Sequence, residues 1–222
     1  MIKYIAFDLF GTVFDWRGTI FSHGKALYPY IDWYDFAAKW KDGYTSSSDW
    51  LRLDNKMETR FWNLISNREF YKLTDLNNYD LELLSKTWSK LIMWDDAYRG
   101  LIKIVCDPRY QTVALSNANK EMQVTLDRYN LFNYHIHPDH IKKYKPDPLV
   151  YQNALNILNC DPQEILMVAS HIFDLNAAKK VGFKTCLITR ELEPGCDPKD
   201  LDHAVDYIFN SIEHLAEKVR AL

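Results

Sequence analysis

The chain has 222 residues, enough for one large domain or for a core that carries a smaller inserted one. Its 27 basic residues are scattered among 30 acidic ones for a formal net charge of -3, which leaves no basic patch to hold nucleic acid or an anionic membrane surface. No apolar stretch approaches the roughly 20 residues that a bilayer span requires. Cys106, Cys160, Cys186 and Cys196 form neither a CxxC pair nor a disulfide-scaffold spacing, and the first residues show a strand pattern in place of a charged and apolar leader, so a soluble protein of a reducing cytoplasm is expected.

The first element is the apolar run 3–7, a buried strand by pattern, with Asp8 at its end and a Gly11-Thr12 turn after it. A carboxylate at the tip of a buried strand is placed to act as a nucleophile, and such a turn leaves backbone N–H groups free for an anion. Phe10 cannot donate a proton, so a leaving group that departs as a stable anion suits this position better than an alkoxide does. Thr12 is suited to cap the next turn and also to hydrogen-bond the nucleophile.

From about residue 15 to residue 95 the pattern becomes helical, at 32–41, 50–65 and 79–94, with no strand signature between. This predicts an inserted helical cap over 15–95 and a core formed by 1–14 and 96–222. All seven tryptophans, Trp16, Trp33, Trp40, Trp50, Trp62, Trp88 and Trp94, fall in the predicted insert. Large rings of this kind fill the interior of a small bundle, and one or two can also line a pocket.

Beyond the insert, helices are predicted at 97–105, 120–129, 148–158 and 173–181, with Gly182 as a stop, and strands at 112–115, 165–169 and 185–188. Ser116 and Asn117 close the second strand with short hydrogen-bonding side chains. His135 and His137 alternate as on one strand face, but Pro138 interrupts them and no further ligand set accompanies His140, so a polar strand and loop is expected there and no metal site. A Pro/Gly loop follows at 193–200. Alternation of strands and helices predicts an α/β fold, a Rossmann-like doubly wound parallel sheet whose ligand crevice lies at the carboxyl ends of the strands. Asp8, Ser116 and the loop 170–174 all arrive at that edge.

The segment Phe7-Asp8-Leu9-Phe10-Gly11-Thr12-Val13-Phe14-Asp15 resembles the first motif of the haloacid dehalogenase-like hydrolase superfamily, in particular its 2-haloacid dehalogenase branch. Leu115-Ser116-Asn117 looks like the second motif, Lys145-Pro146-Asp147-Pro148 with Tyr151 like the third, and Val168-Ala169-Ser170-His171-Ile172-Phe173-Asp174 like the fourth. Trp40-Lys41-Asp42-Gly43-Tyr44 resembles a cap segment, and the motifs keep the family order from residue 3 to about residue 190.

The resemblance implies that Asp8 displaces halide from C2 of a short 2-haloalkanoic acid, chloroacetate or an (S)-2-haloacid first, giving an ester on the enzyme that water then opens. It implies that Thr12 supports Asp8, that Lys145 keeps Asp8 ionised and offsets the charge of substrate and oxyanion, and that Asp174 orders the lysine and positions or activates the water. Leu9, Phe10, Lys41, Ser116, Asn117, Tyr151 and His171 are the implied substrate-binding set. Three positions depart from the family pattern: His171 replaces an asparagine, Ala169 a serine and Lys41 an arginine, whose planar fork lysine lacks. Ala169 and Ser170 stand where the phosphatase branch carries the first acidic residue of its Mg²⁺ cluster, which together with Phe10 implies a metal-independent reaction with no cofactor. The other implied readings are a phosphatase with an atypical acid and a catalytically idle, ligand-binding member. The implied partner is a small 2-haloacid or related carboxylate, with no nucleic acid and no membrane, and the family habit implies a homodimer.

Overall fold

The computed structural model describes residues 1–46, 76–191, 193, 196 and 205–221. They fall into two compact units, 1–14 with 93–222, and 15–92.

The first unit is built on six parallel strands in the order β5-β4-β1-β6-β7-β8: β1 Tyr4–Phe7, β4 Gln111–Leu115, β5 Tyr134–Ile136, β6 Ile165–Ala169, β7 Lys184–Ile188 and β8 Tyr207–Phe209. β1 lies in the middle, with Tyr4 to Phe7 opposite Gln111 to Ala114 on one side and Ile165 to Val168 on the other. A central parallel strand is covered on both faces, which is why 4–7 and 165–169 are continuous apolar runs; every residue of β6 is buried. The chain builds the sheet outward from β1 first through β4 and β5, then on the opposite side through β6, β7 and β8. That reversal opens the crevice at the carboxyl ends of β1, β4 and β6.

Among its described residues this unit has five helices, α4 Asp95–Val105, α5 Lys120–Leu126, α6 Pro148–Leu158, α7 Ile172–Val181 and α8 Ile212–Lys218. The bounds expected for α6 and β6 match to the residue. Gly182 ends α7 in the left-handed region at φ 102°, the conformation glycine adopts without strain. α5 stops at Leu126, short of the predicted 129, because Asp127 turns its carboxylate to the N–H groups of Leu131 and Phe132, at 2.7 and 3.3 Å, and so closes a turn. β5 is the polar strand expected around His135, whereas β8 and α8 were not anticipated as defined elements.

The second unit contains α1 Trp16–Leu27, α2 Trp33–Ser46 and α3 Asn78–Ser85, followed by a 3₁₀ turn Lys86–Lys90. Its described interior is aromatic: Trp16 stacks on Trp88 with centroids 5.7 Å apart, and Trp33 donates from Nε1 to the Tyr28 carbonyl at 2.9 Å. The rings therefore fill a core, as their number suggests. The predicted helix 79–94 is not continuous. A capping box at Asn77 and Asp80 starts α3, but Ile92 N–H is taken by the Thr19 hydroxyl at 3.0 Å, and the backbone extends as strand β3 Ile92–Met93. β3 pairs with β2 Phe14–Asp15 in a separate two-stranded sheet. Trp94 belongs to the first unit, as the N-cap residue of α4, and not with the insert's tryptophans. The predicted helix 50–65, with Trp50 and Trp62, lies outside the described residues.

Candidate active site

Asp8 follows β1 directly, and its N–H donates to the Val168 carbonyl of β6 at 3.0 Å, so the sheet itself fixes where the side chain emerges. The residue is 6% exposed. Thr12 Oγ donates to Asp8 Oδ2 at 2.9 Å and accepts the Ser170 N–H at 2.9 Å, which ties the first turn to the end of β6. Gly11 permits that turn with φ 79°. The turn spends more of its own N–H groups than the sequence suggested: Gly11 donates to the Phe14 carbonyl, and Val13 and Phe14 both donate to the Leu9 carbonyl. An anion therefore cannot use those three donors, because the turn closes on itself through them. Leu9 is buried, and Phe10 is half-buried with its backbone bridged to Phe14.

Lys145 precedes α6 and is 2% exposed. Its Nζ donates to Asp8 Oδ1 at 2.9 Å and also to Asp174 Oδ2. Asn117, at the end of β4, holds the lysine backbone from both sides: its Oδ1 accepts the Lys145 N–H at 2.7 Å and its Nδ2 donates to the Lys145 carbonyl at 3.1 Å. Both ends of the amide thus help to place Lys145, a role the sequence did not suggest, while Oδ1 keeps a second lone pair and Nδ2 a second N–H. Ser116 is buried and accepts the Ala118 N–H at 3.2 Å. Asp174 sits in the first turn of α7, 1% exposed, where the helix N-terminus favours a negative charge. Tyr151, on α6 and fully buried, donates its hydroxyl to Asp174 Oδ1 at 2.6 Å.

One ammonium thus serves two buried carboxylates, and their surroundings push them apart. Burial opposes ionisation of Asp8, but the Lys145 ammonium and the His171 imidazole together hold its carboxyl well below the usual carboxylate range. Asp174 moves the other way: burial raises its pKa, Lys145 reverses this only in part, and the charge on Asp8 raises it again. Burial favours neutral Lys145, yet Asp174 and Asp8 together raise its pKa above the ordinary lysine value. The Tyr151 hydroxyl is pushed well up by burial and by Asp174, so it stays a donor. Two carboxyls with opposite shifts are suited to different tasks, one as a standing anion and the other as a proton acceptor.

Magnesium takes oxygen ligands in a near-octahedral array. Asp8 and Asp174 direct oxygens to the same lysine, Phe10 stands where a second carboxylate would be needed, and among the described residues no three His, Cys, Asp or Glu side chains are arranged to hold a metal ion. These residues do not fit the ion. His135, in β5, faces Asp127 at 3.2 Å, while His137 stacks on His140 with centroids 3.9 Å apart, as a polar strand and loop would.

His171 reaches the site from the N-cap of α7, with Nδ1 3.1 Å from Asp8 Oδ2 and Nε2 2.8 Å from Glu193 Oε1. Lys41 lies in α2, and its side chain is outside the described residues. Two residues that the sequence did not single out join the expected ones. Glu193 is one. The other is Arg190, which donates to the Thr12 carbonyl at 2.8 Å and to Asp96 Oδ1 at 2.7 Å, so it anchors the nucleophile turn to α4. Their only sequence signal is position, just past a strand that ends at the ligand-bearing edge.

A family model described as haloacid dehalogenase-like hydrolase matches residues 2–182. The (S)-2-haloacid dehalogenase 1 of Pseudomonas sp. (strain CBS-3) is 29% identical over 205 residues, covering 87% of each chain. Among solved structures, an L-2-haloacid dehalogenase superposes with a TM-score of 0.86 at 27% identity over 100% of both chains. That of Xanthobacter autotrophicus with chloropropionic acid covalently bound superposes at 0.82 over 100% of both, at 21% identity, a likeness of fold.

Proposed function

The chain belongs to the haloacid dehalogenase-like hydrolase family, and from that premise we propose that it is a hydrolase of carbon–halide bonds, releasing halide from a short 2-haloalkanoic acid through an ester on Asp8, with an (S)-2-haloacid as substrate. The observation that carries this reading is the Lys145 ammonium between Asp8 and Asp174. It supplies the positive charge beside the nucleophile, and Phe10 leaves no acid for an alkoxide leaving group.

A carboxylate oxygen has two lone-pair sites. Oδ2 of Asp8 accepts from Thr12 and faces His171, whereas among the described residues Oδ1 meets Lys145 alone, so Oδ1 keeps a lone pair for attack at C2. Attack forms the Oδ1–C2 bond and expels halide with the bonding pair. Water then adds to Asp8 Cγ, with Asp174 taking its proton, and Lys145 offsets the charge that gathers on the departing oxygen. Asn117 places the lysine, Tyr151 orients Asp174, and Ser116 is assigned to the substrate carboxylate or the halide.

No helix among the described residues is long and apolar enough to cross a membrane. We assign the protein to the cytoplasm on its cysteine pattern and to a homodimer on the family habit, the latter tested by its mass in solution. The reaction is tested by halide release from (S)-2-chloropropionate with EDTA present. Release in the parent and its loss in Asp8→Asn support the reading. Turnover of a phosphate ester that EDTA abolishes, with no halide from any 2-haloacid, overturns it.

A further inference from the structure

Glu193 lies in the loop after β7 and is 8% exposed, with its carboxylate against Gly11: a Cβ added there would come within 2.5 to 2.8 Å of it. The loop after β7 and the turn after β1 therefore meet beside the nucleophile. His171 stands between them, Nε2 on Glu193 Oε1 at 2.8 Å and Nδ1 on Asp8 Oδ2 at 3.1 Å. The Phe173 ring lies 5.4 Å from the imidazole, and Lys145 holds the other oxygen of Asp8.

Proton counting decides the state of the ring. Ionised carboxylates only accept hydrogen bonds, and a neutral imidazole has one N–H and one accepting nitrogen. A carboxylate oxygen at each nitrogen therefore requires two ring protons, unless one of the carboxyls is itself protonated. Lys145 keeps Asp8 ionised, so the imidazolium satisfies all three groups. A lone Asp8 would need only one N–H; Glu193 is what calls for the second.

Resting on the haloacid reading above, we propose that Glu193 and His171 form a dyad for the hydrolytic half of the reaction. Glu193 is a positioning residue that keeps His171 doubly protonated, and His171 Nδ1–H, with the Thr12 hydroxyl, receives the negative charge that develops on Asp8 Oδ2. When water adds, its oxygen bonds to Cγ, one proton passes to Asp174, and the π pair of the ester carbonyl moves onto Oδ2. Collapse restores that carbonyl and breaks Cγ–Oδ1. The hydroxy acid leaves with Oδ1 and the second water proton, Asp8 is again a carboxylate, and Asp174 releases its proton to solvent. The dyad thereby fills the place that His171 vacates by not being the family's asparagine.

The test compares the parent with Glu193→Gln on (S)-2-chloropropionate, following halide, 2-hydroxy acid and the mass of the Asp8 peptide after acid quench. Glutamine carries no charge and can donate its own N–H to Nε2, so the ring keeps one proton, on Nδ1 towards Asp8, and loses its positive charge beside Oδ2. Expected are a fall in kcat of about 10-fold, because a charge-assisted hydrogen bond is roughly twice as strong as a neutral one, a matching fall in KM, and esterified Asp8 as the main enzyme form at steady state. A loss of kcat/KM as large as that of kcat, with no ester accumulating, overturns the proposal. Folding and catalysis are bypassed by ¹⁵N NMR of histidine-labelled protein at pH 7.5, with His171→Asn for assignment. Both His171 nitrogens should be protonated in the parent and only one in Glu193→Gln. A neutral His171 in the parent overturns the dyad alone, whereas a parent that forms no ester and frees no halide overturns the reaction, whatever the NMR shows.

Discussion

Replacing Lys145 by methionine separates the electrostatic role of the ammonium from its bulk, because the two side chains are of similar length. The lysine is 2% exposed and holds two carboxylates that are themselves 6% and 1% exposed. A solvent-exposed ion pair contributes about 0–1 kcal/mol, whereas removing one partner from a buried pair costs about 3–5 kcal/mol, since the remaining charge is left uncompensated. The second range applies, and against a total stability of about 5–15 kcal/mol it is a large fraction.

The pH dependence gives the sign. In the parent the folded pKa of Asp8 is depressed, so its contribution is present above the unfolded carboxylate value and is lost as pH falls through the folded one. Without the ammonium, burial and the charge on Asp8 raise Asp174 still further above its unfolded value, while His171 remains beside Asp8, so the variant loses stability as pH rises. The difference between parent and variant must therefore grow with pH. Urea unfolding at pH 5.5 and pH 7.5 measures it. A penalty below about 1 kcal/mol at pH 7.5, or one of equal size at both pH values, refutes the reasoning.

Tyr151→Phe removes the 2.6 Å hydrogen bond to Asp174 Oδ1, which works against the upward shift that burial imposes on this carboxyl. Asp174 then binds its proton at still higher pH, so the acid limb of the kcat–pH profile should move to higher pH; an unmoved limb contradicts the assignment of Asp174 as proton acceptor. Gly11→Ala places a Cβ at φ 79° and within 2.8 Å of the Glu193 carboxylate. It should cost more than the ~1–2 kcal/mol of a left-handed residue in thermal denaturation and should also trap esterified Asp8; a variant that is destabilised without trapping ester shows that Glu193 does not act on the reaction.

The sheet was legible where burial on both faces wrote itself into sequence. The run 165–169 has no polar residue, and the helix Pro148–Leu158 starts at a proline and ends where Asn159 turns left-handed at φ 47°. The 79–94 segment misled because its periodicity is helical, while distant partners decide its end: the Thr19 hydroxyl takes Ile92 N–H and the Val13 carbonyl takes Trp94 N–H. β8 is three residues long with its middle residue, Ile208, exposed, so it has no buried pattern of its own; Asp206, just before it, pins the start of β7 by accepting Thr185 N–H at 2.8 Å.

Within the site, Asp8, Lys145, Tyr151 and Asp174 converge as their motifs suggested. Asn117 was legible as a polar strand end but not as the clamp on Lys145, because that contact spans 28 positions and involves backbone that carries no residue-type signal. Glu193 was hidden for a similar reason. A single acidic residue in a Pro/Gly loop has no local periodicity, and its meaning comes from a histidine 22 residues earlier that a helix start delivers to the same point.

The central claim is that an oxygen of Asp8 bonds to substrate carbon. Single turnover of (S)-2-chloropropionate by excess enzyme in ¹⁸O-water reads it directly, by mass spectrometry of the product and of the Asp8 peptide. The account predicts unlabelled oxygen in the first hydroxy acid released and one ¹⁸O retained in Asp8, since water attacks Cγ. Label in that first product with none in the peptide would mean that water attacked C2 itself, and the ester would be excluded.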